Sequence, residues 1–288
     1  MSRLLIRIVV SFVLALVVLL ATVAAPYAAQ VSSSVHLVYA TDFEKVTKLS
    51  AHRLDMGAIP DWFSFENATG GYTDAGASMW MEGLDRHTPG ITCHSGSRCV
   101  GMEVNNITES RRNQFDIDNV QNLVGDEIFL SVWLYLPGDW GLHSPKDNWY
   151  ELVNPFFTHE PTYLPYAAVH IRQPDTTKSI FDLTLEVRNV NSYISYGAIH
   201  NYALPRGRWF NVQYYVYRDP TNGIVKVWID GKMVFDVANI PTKDPSQPRW
   251  FVSLAKIYYD TSDTFSPYRI WVDDLQIYNK QPLLPQRR

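Results

Sequence analysis

The sequence predicts an all-β protein built from two packed antiparallel sheets. From Glu127 to Tyr278, runs of strand length rich in apolar and β-branched residues follow one another with almost no helical periodicity. Turn residues separate these runs at intervals of roughly 8–12 residues, which is typical of sandwiches and barrels. The pair Asp230-Gly231 between two apolar runs predicts a tight two-residue hairpin.

Most of the predicted strands lie after Gln114, and two precede it. They span residues 35–44, 98–104, 128–136, 149–157, 166–173, 180–189, 209–218, 224–229, 233–237, 250–259 and 268–278. The N-terminal part, up to Gln114, is predicted to be richer in loops than the rest of the chain.

Alternation within the strands predicts which side chains face the core, because successive side chains of a strand point to opposite faces. In two neighbouring runs the apolar set is Ala167, Val169, Ile171, Phe181, Leu183, Leu185 and Val187. The opposite set is polar and is either a solvated face or a binding face; it consists of Tyr166, His170, Arg172, Asp182, Thr184, Glu186 and Arg188.

The run 209–218 alternates aromatic rings with hydrogen-bonding side chains on one face. Its members are Trp209, Asn211, Gln213, Tyr215 and Tyr217. Such a face suits sugars, whose C–H faces pack on rings while their hydroxyls need donors and acceptors.

The N-terminus predicts export. Arg3 and Arg7 precede an apolar run at 8–25, about 18 residues long, which suits a cleaved signal peptide or a membrane anchor. We therefore expect residues 1–29 to be one of these, and the protein to be secreted or anchored at the cell surface, with no other membrane contact. Residues 30–279 are predicted to form one sandwich domain and 280–288 a tail.

Composition and cysteine spacing narrow the function classes. The net charge is −4 and the chain has no runs of like charge, so the sequence lacks the basic patch that nucleic-acid binding requires. In an oxidising compartment Cys93 and Cys99, six positions apart, predict one disulfide. The alternatives are two free thiols or half of a zinc site, which would need a second ligand pair that the sequence lacks.

Several motifs resemble the concanavalin A-like lectin/glucanase superfamily. They are Asp42-Phe-Glu44, His94-Ser-Gly-Ser-Arg98, Leu204-Pro-Arg-Gly-Arg-Trp209, Val227-Trp-Ile-Asp-Gly231 and Trp271-Val-Asp-Asp-Leu-Gln-Ile-Tyr278, in that order. The resemblance covers nearly the whole chain after the leader and implies an antiparallel jelly-roll sandwich.

Within that superfamily the chain is most similar to jelly-roll polysaccharide lyases of heparin-lyase and alginate-lyase type. This similarity rests on Ser110-Arg-Arg112, on Ser131-Val-Trp-Leu-Tyr-Leu-Pro137 and on a strand that carries His170. It implies β-elimination on an acidic, uronate-containing glycan, in which an arginine or amide neutralises the carboxylate and a base removes the C5 proton.

The resemblance and the strand alternation together indicate site residues. The catalytic candidates are His170, Arg172 and Tyr166, and the substrate-binding candidates are Glu186, Arg188, Gln213, Tyr215 and Arg112. We expect His170, Arg172, Glu186 and Gln213 to lie on one polar, aromatic-lined sheet face. The chain departs from these lyases in lacking their Gln-x-His and Tyr-Lys pairs. It also lacks the Glu-x-Asp-x-Glu strand of retaining glucanases, and this second absence disfavours hydrolysis. A non-catalytic carbohydrate-binding module, a surface structural module and a merely structural role for His170 stay open.

The position of Asp273 in its strand predicts that a partner compensates its buried carboxylate. It shares its parity with Trp271, Leu275 and Ile277 and should point toward apolar surroundings, where an unpaired carboxylate is costly. An arginine or backbone amides are one explanation. The resemblance implies another, a structural Ca²⁺ held with Asp42 or Glu44 between the first and last strands.

Overall fold

A computed structural model shows how these segments assemble. It describes residues 34–46, 48–50, 53–55, 63–68, 77–104, 111–118, 120–138, 153–159, 164–175, 180–188, 193–259 and 268–282. The chain divides after residue 35, and residues 36–288 form one compact unit, to which the following description applies. The predicted leader lies outside the described residues, among which no helix is long and apolar enough to cross a membrane.

Seventeen strands and one short helix make up the described secondary structure. The strands are β1 (Leu37–Thr41), β2 (Lys48–Ser50), β3 (Arg53–Asp55), β4 (Phe63–Ala68), β5 (Ala77–Glu82), β6 (Cys99–Val104), β7 (Arg111–Ile117), β8 (Glu127–Leu136), β9 (Val153–His159), β10 (Tyr166–Asp175), β11 (Ile180–Arg188), β12 (Tyr193–Tyr202), β13 (Arg208–Tyr217), β14 (Gly223–Ile229), β15 (Lys232–Ile240), β16 (Phe251–Tyr259) and β17 (Tyr268–Tyr278). The helix, α1, is Gln121–Val124.

The strands form two large antiparallel sheets, so the predicted all-β jelly-roll class is confirmed. The eight-stranded sheet has the order β15-β14-β13-β8-β17-β6-β5, and β1 pairs with β17 beside this path. The seven-stranded sheet has the order β12-β11-β10-β9-β16-β7-β4, and β2 with β3 forms a separate hairpin. The chain crosses repeatedly between the two large sheets, as a jelly roll requires.

The N-terminal part contains more strands than the sequence predicts. Strands β2 to β5 lie there, and β7 and β12 were also missed. β7 has the sequence Arg-Arg-Asn-Gln-Phe-Asp-Ile, in which only Phe115 and Ile117 are apolar. Its pattern is weak because Gln114 and Asp116 face away from the core, while Asn113 lies between the sheets and bonds to backbone oxygen.

The core lies between the two large sheets and confirms the predicted parity. Ala167, Val169 and Ile171 of β10 are buried in it, with Leu183, Leu185 and Val187 of β11. The facing sheet contributes Phe210, Val212, Tyr214 and Val216 of β13, which alternate with the ring-bearing face of that strand. Burial of these side chains supplies the main driving force for packing the sheets together.

Candidate functional site

The polar side of β10 and β11 is buried rather than solvated. We call this side, opposite the core, the outward face. His170 is fully buried there, Glu186 is 3% exposed and Tyr166 is 7% exposed, and Asp182 and Thr184 are also buried. Burial of this many polar groups requires internal partners, because an unpaired buried polar group is costly.

Tyr166, Glu186 and His170 meet around one carboxylate. Glu186 lies opposite Ala168 in the β10–β11 register, so Tyr166 and His170 are its diagonal neighbours on the same face. The small side chain of Ala168 leaves room between them. The Tyr166 hydroxyl donates to Oε1 of Glu186, and Nε2 of His170 lies 3.4 Å from Oε2.

Two of the three predicted arginines lie on the strands of this trio, whereas Arg112 lies on β7, three strands away from β10. Arg188 pairs in register with Tyr166 and is exposed. Arg172 pairs with Asp182 on β11, and Arg112 of β7 pairs with Tyr258 of β16. The side chains of Arg172 and Arg112 lie outside the described part of the chain.

A second polar cluster on the same sheet was missed. Ser253 Oγ donates to Asp116 at 2.6 Å, and Gln114 Nε2 donates to the same carboxylate at 2.9 Å. Ser253 of β16 and Glu186 of β11 are separated by three strand spacings, roughly 14 Å. Alternation against Phe115 and Ile117 would have placed Gln114 and Asp116 on the outward face, had β7 been recognised as a strand.

Gln213 and Tyr215 do not join the trio. They belong to β13 of the eight-stranded sheet, whereas His170 and Glu186 belong to the seven-stranded sheet, so the prediction of one shared face is wrong. The Tyr215 hydroxyl donates to Oε1 of Glu127 at 2.9 Å. Burial, reinforced by that carboxylate, raises the pKa of Tyr215 well above its ordinary value. Tyr215 is therefore a structural residue of its sheet.

Other polar groups of the ring-bearing β13 face are also used within the protein. Trp209 donates its indole N–H to the Thr92 carbonyl at 2.8 Å, and Asn211 Nδ2 donates to Ser131 Oγ at 2.9 Å. Donors already engaged in this way are not available to sugar hydroxyls. This reduces the support for a lectin site on that face.

The predicted disulfide is confirmed and closes a loop that supplies hydrogen-bond donors. Cys93 and Cys99 are joined, with Cα atoms 5.5 Å apart. Within the loop, the amides of Ser97 and Arg98 each donate to Oε1 of Glu44 at 2.6 Å. A Cβ on Gly96 would lie 2.3 Å from that same oxygen and would displace the Glu44 side chain, and the φ of +57° at Gly96 also favours glycine.

The same loop engages the two aspartates of β17. The Ser95 amide donates to Asp273 at 3.1 Å, and Ser95 Oγ donates to Asp274 at 2.8 Å. His94 Nδ1 lies 2.5 Å from the other Asp274 oxygen. Burial raises the pKa of Asp273 to about 7. The hydrogen bond from the Ser95 amide opposes this increase, and the negative charge of Asp274 adds to it.

The predicted calcium ligands do not form a cage in this arrangement. Backbone amides occupy oxygens of Glu44 and Asp273 that a cation would need, which matches the amide explanation for Asp273. Among the described residues, one trio of metal-capable side chains, Cys93, Cys99 and Asp273, has ligand atoms within 4.8 Å of one another, and its sulfurs form the disulfide. Asp42 lies instead with Asp274 in a cleft of about 490 Å³ beside β1. Calcium binding stays a prediction.

Asp273 makes stability depend on pH in a direction opposite to that of most carboxylates. Its folded pKa of about 7 exceeds the ordinary 3.8, so the folded state binds the proton more tightly. Stability should therefore fall as pH rises from about 4 to about 7, by at most roughly 4 kcal/mol. Asp273→Asn, which stays neutral, should show a flatter melting temperature between pH 5 and pH 8.

The exposed Asp236→Asn provides the control for this measurement and should keep the wild-type pH dependence. A calcium ion bound at Asp273 would hold the carboxylate ionised. In that case the loss of stability would disappear in millimolar CaCl₂ and return with chelator. Identical pH profiles for Asp273→Asn and wild type would contradict the assignment.

Comparison with known proteins gives structural likeness only. No protein-family model matches the chain, and no curated protein matches it. The chain is similar to the solved structure of an endo-β-1,4-glucuronan lyase from the fungus Trichoderma reesei, at 14% identity over 70% of this chain and 86% of that chain, with a TM-score of 0.49.

Two further solved structures are similar to the chain. An alginate lyase from a Chlorella virus has 12% identity over 65% of this chain and 87% of that chain, with a TM-score of 0.46. Domain 4 of an extracellular arabinanase from Geobacillus stearothermophilus, in complex with arabinotriose, has 16% identity over 70% of this chain and 81% of that chain, with a TM-score of 0.38. At these identities the likeness concerns the fold, and the function has to be argued from the site.

Proposed function

We propose that this protein is a carbohydrate-active enzyme that cleaves an acidic, uronate-containing glycan by β-elimination on the outward face of the seven-stranded sheet. The observation that carries the proposal is the meeting of Tyr166, Glu186 and His170 on one face, beside the exposed Arg188. A histidine and a tyrosine provide groups that can accept and donate protons, and an arginine can bind a carboxylate.

The reaction requires three functions from the protein. Arg188 pairs with the uronate carboxylate, which makes the neighbouring C5 proton easier to remove. His170 accepts that proton, the C5 electron pair forms the C4=C5 double bond, and the C4–O bond to the leaving sugar breaks. Tyr166 passes its hydroxyl proton, which rests against Glu186 before the reaction, to the departing oxygen and then regains a proton from solvent. His170 releases the C5 proton to solvent, so that both groups return to their starting states. Arg172, the remaining catalytic candidate, has the same strand parity as His170 on β10.

The face also differs from what hydrolysis would need. Inverting and retaining hydrolases use two carboxyl groups on either side of the scissile bond. The carboxylate of Glu186 already accepts the Tyr166 hydroxyl and lies beside the His170 ring, so it is engaged rather than directed at a substrate. β-Elimination needs only an acid, a base and a cation, which Tyr166, His170 and Arg188 provide, so it fits this face better than hydrolysis does.

The experiment is an assay of the leader-free protein on a panel of uronate polymers, including glucuronan and alginate. The expected result is an increase in ultraviolet absorbance from the unsaturated product. Binding to a polymer without this absorbance would contradict elimination and support a carbohydrate-binding module. Neither binding nor absorbance across the panel would contradict both and favour a structural role.

A further inference from the structure

Glu186 occupies a position that suits the orientation of other side chains better than contact with substrate. It is 3% exposed and lies between Tyr166 and His170, which follow the same face of β10 on either side of Ala168. Each of its two carboxylate oxygens faces a different one of these partners. The sequence had suggested substrate binding for Glu186.

The chemistry of the carboxylate determines how its partners are arranged. An ionised carboxylate only accepts hydrogen bonds, so Tyr166 must donate to Oε1. A bond from His170 to Oε2 would likewise require the imidazole proton on Nε2, which leaves the lone pair of the neutral ring on Nδ1. The separation of 3.4 Å is long for such a bond, and catalytic hydrogen bonds often shorten when substrate binds.

The charge of Glu186 argues in the same direction. A uronate polymer is negatively charged, and two carboxylates brought together repel each other. A glutamate that touched this substrate would weaken its binding, whereas one directed at Tyr166 and His170 would not.

We propose that Glu186 is a positioning residue, which holds the Tyr166 hydroxyl and keeps the His170 proton on Nε2. The kinetic part of this proposal rests on the proposed function. The tautomer of His170 does not, and it can be measured without any substrate.

The kinetic experiment compares Glu186→Gln with Glu127→Gln. The control removes the charge of the other glutamate that accepts a tyrosine hydroxyl, on the eight-stranded sheet. Glu186→Gln should lower kcat by roughly 10–100-fold, the effect usual for residues that orient functional groups, with KM within about twofold. Glu127→Gln should leave both constants unchanged. A change in KM with kcat unaltered would overturn the proposal in favour of substrate contact.

The spectroscopic experiment measures the ring nitrogens of ¹⁵N-histidine-labelled protein, with the His170 signal assigned from its loss in His170→Gln. Wild type should show the Nε2–H tautomer. In Glu186→Gln the side-chain amide can donate to His170, so the signal should move toward the Nδ1–H form. An unchanged His170 signal would overturn the proposal even if the protein proves not to be a lyase.

Thermal unfolding checks that Glu186→Gln is folded. If it is not, Glu186→Asp keeps the charge but withdraws the carboxylate by one methylene, and loss of the Nε2–H signal is again expected. Persistence of the wild-type signal in a folded Glu186→Asp variant would equally overturn the proposal.

Discussion

Replacing His170 by alanine is expected to lower kcat/KM of the proposed elimination by roughly 10²- to 10⁴-fold, the usual contribution of a positioned general base. The imidazole lies beside the Glu186 carboxylate, and alanine supplies no group that could accept the C5 proton in its place. Initial rates of absorbance increase on the best substrate of the panel measure the effect.

Stability has to be separated from chemistry in this variant. Removing a buried side chain leaves a cavity, and the resulting loss of stability can reduce activity by unfolding. His170→Gln fills most of the space without supplying a comparable base. The matched control is His87→Ala at an exposed position, which should behave as wild type. Full activity in folded His170→Ala and His170→Gln would eliminate His170 as the base.

The second large effect is expected for Gly101→Ala, on the stability of the eight-stranded sheet. Gly101 pairs in register with Trp80 of β5 and with Trp271 of β17. A Cβ at this position would lie 2.2 Å from the Trp80 indole. Such a contact cannot be accommodated unless the indole moves away.

The Trp80 indole is held in place from several sides. Its N–H donates to Oε2 of Glu82 at 2.6 Å, and the same oxygen accepts the Trp271 N–H at 2.9 Å. The Arg86 guanidinium lies 4.3 Å from the ring centroid. Moving the indole would break these contacts. We therefore expect a loss of about 3 kcal/mol or more, at the upper end for overpacking of a core.

Thermal unfolding tests this expectation. For a protein of this size the melting temperature should fall by roughly 6–12 °C. The control is Gly138→Ala, where the nearest atom to an added Cβ is 3.9 Å away, and it should leave the melting temperature almost unchanged. In a Trp80→Ala background, Gly101→Ala should cost much less. Equal costs in the two backgrounds would contradict the clash.

Local patterns identified part of the site but not its connections. Alternation along β10 and β11 placed Tyr166, His170 and Glu186 on one face, because side-chain parity depends only on neighbouring residues of a strand. It could not show that Glu186 lies opposite Ala168, since register depends on a partner strand. The polar face was therefore left open between solvent and ligand, and its burial became visible only in the folded chain.

The grouping of Gln213 with His170 failed for a related reason. The strands that carry His170 and Gln213 both alternate polar or aromatic residues with apolar ones. This alternation does not indicate which of the two sheets a strand belongs to. Strand order depends on long-range pairing, such as β17 with β8, β6 and β1. β7 was missed because its polar residues dilute the apolar alternation on which strand prediction relies.

The sequence by itself determined the all-β class and the parity of the core strands, because these depend on local periodicity. It predicted the disulfide between Cys93 and Cys99 from their short spacing, with free thiols or half of a zinc site as alternatives, and the structure joins the two sulfurs. Only the tertiary structure decided which polar residues meet. It placed Glu186 between Tyr166 and His170, and it directed the amides of the disulfide loop to Glu44 and Asp273. Such contacts join residues far apart in the chain, and a sequence pattern does not determine the geometry that brings them together.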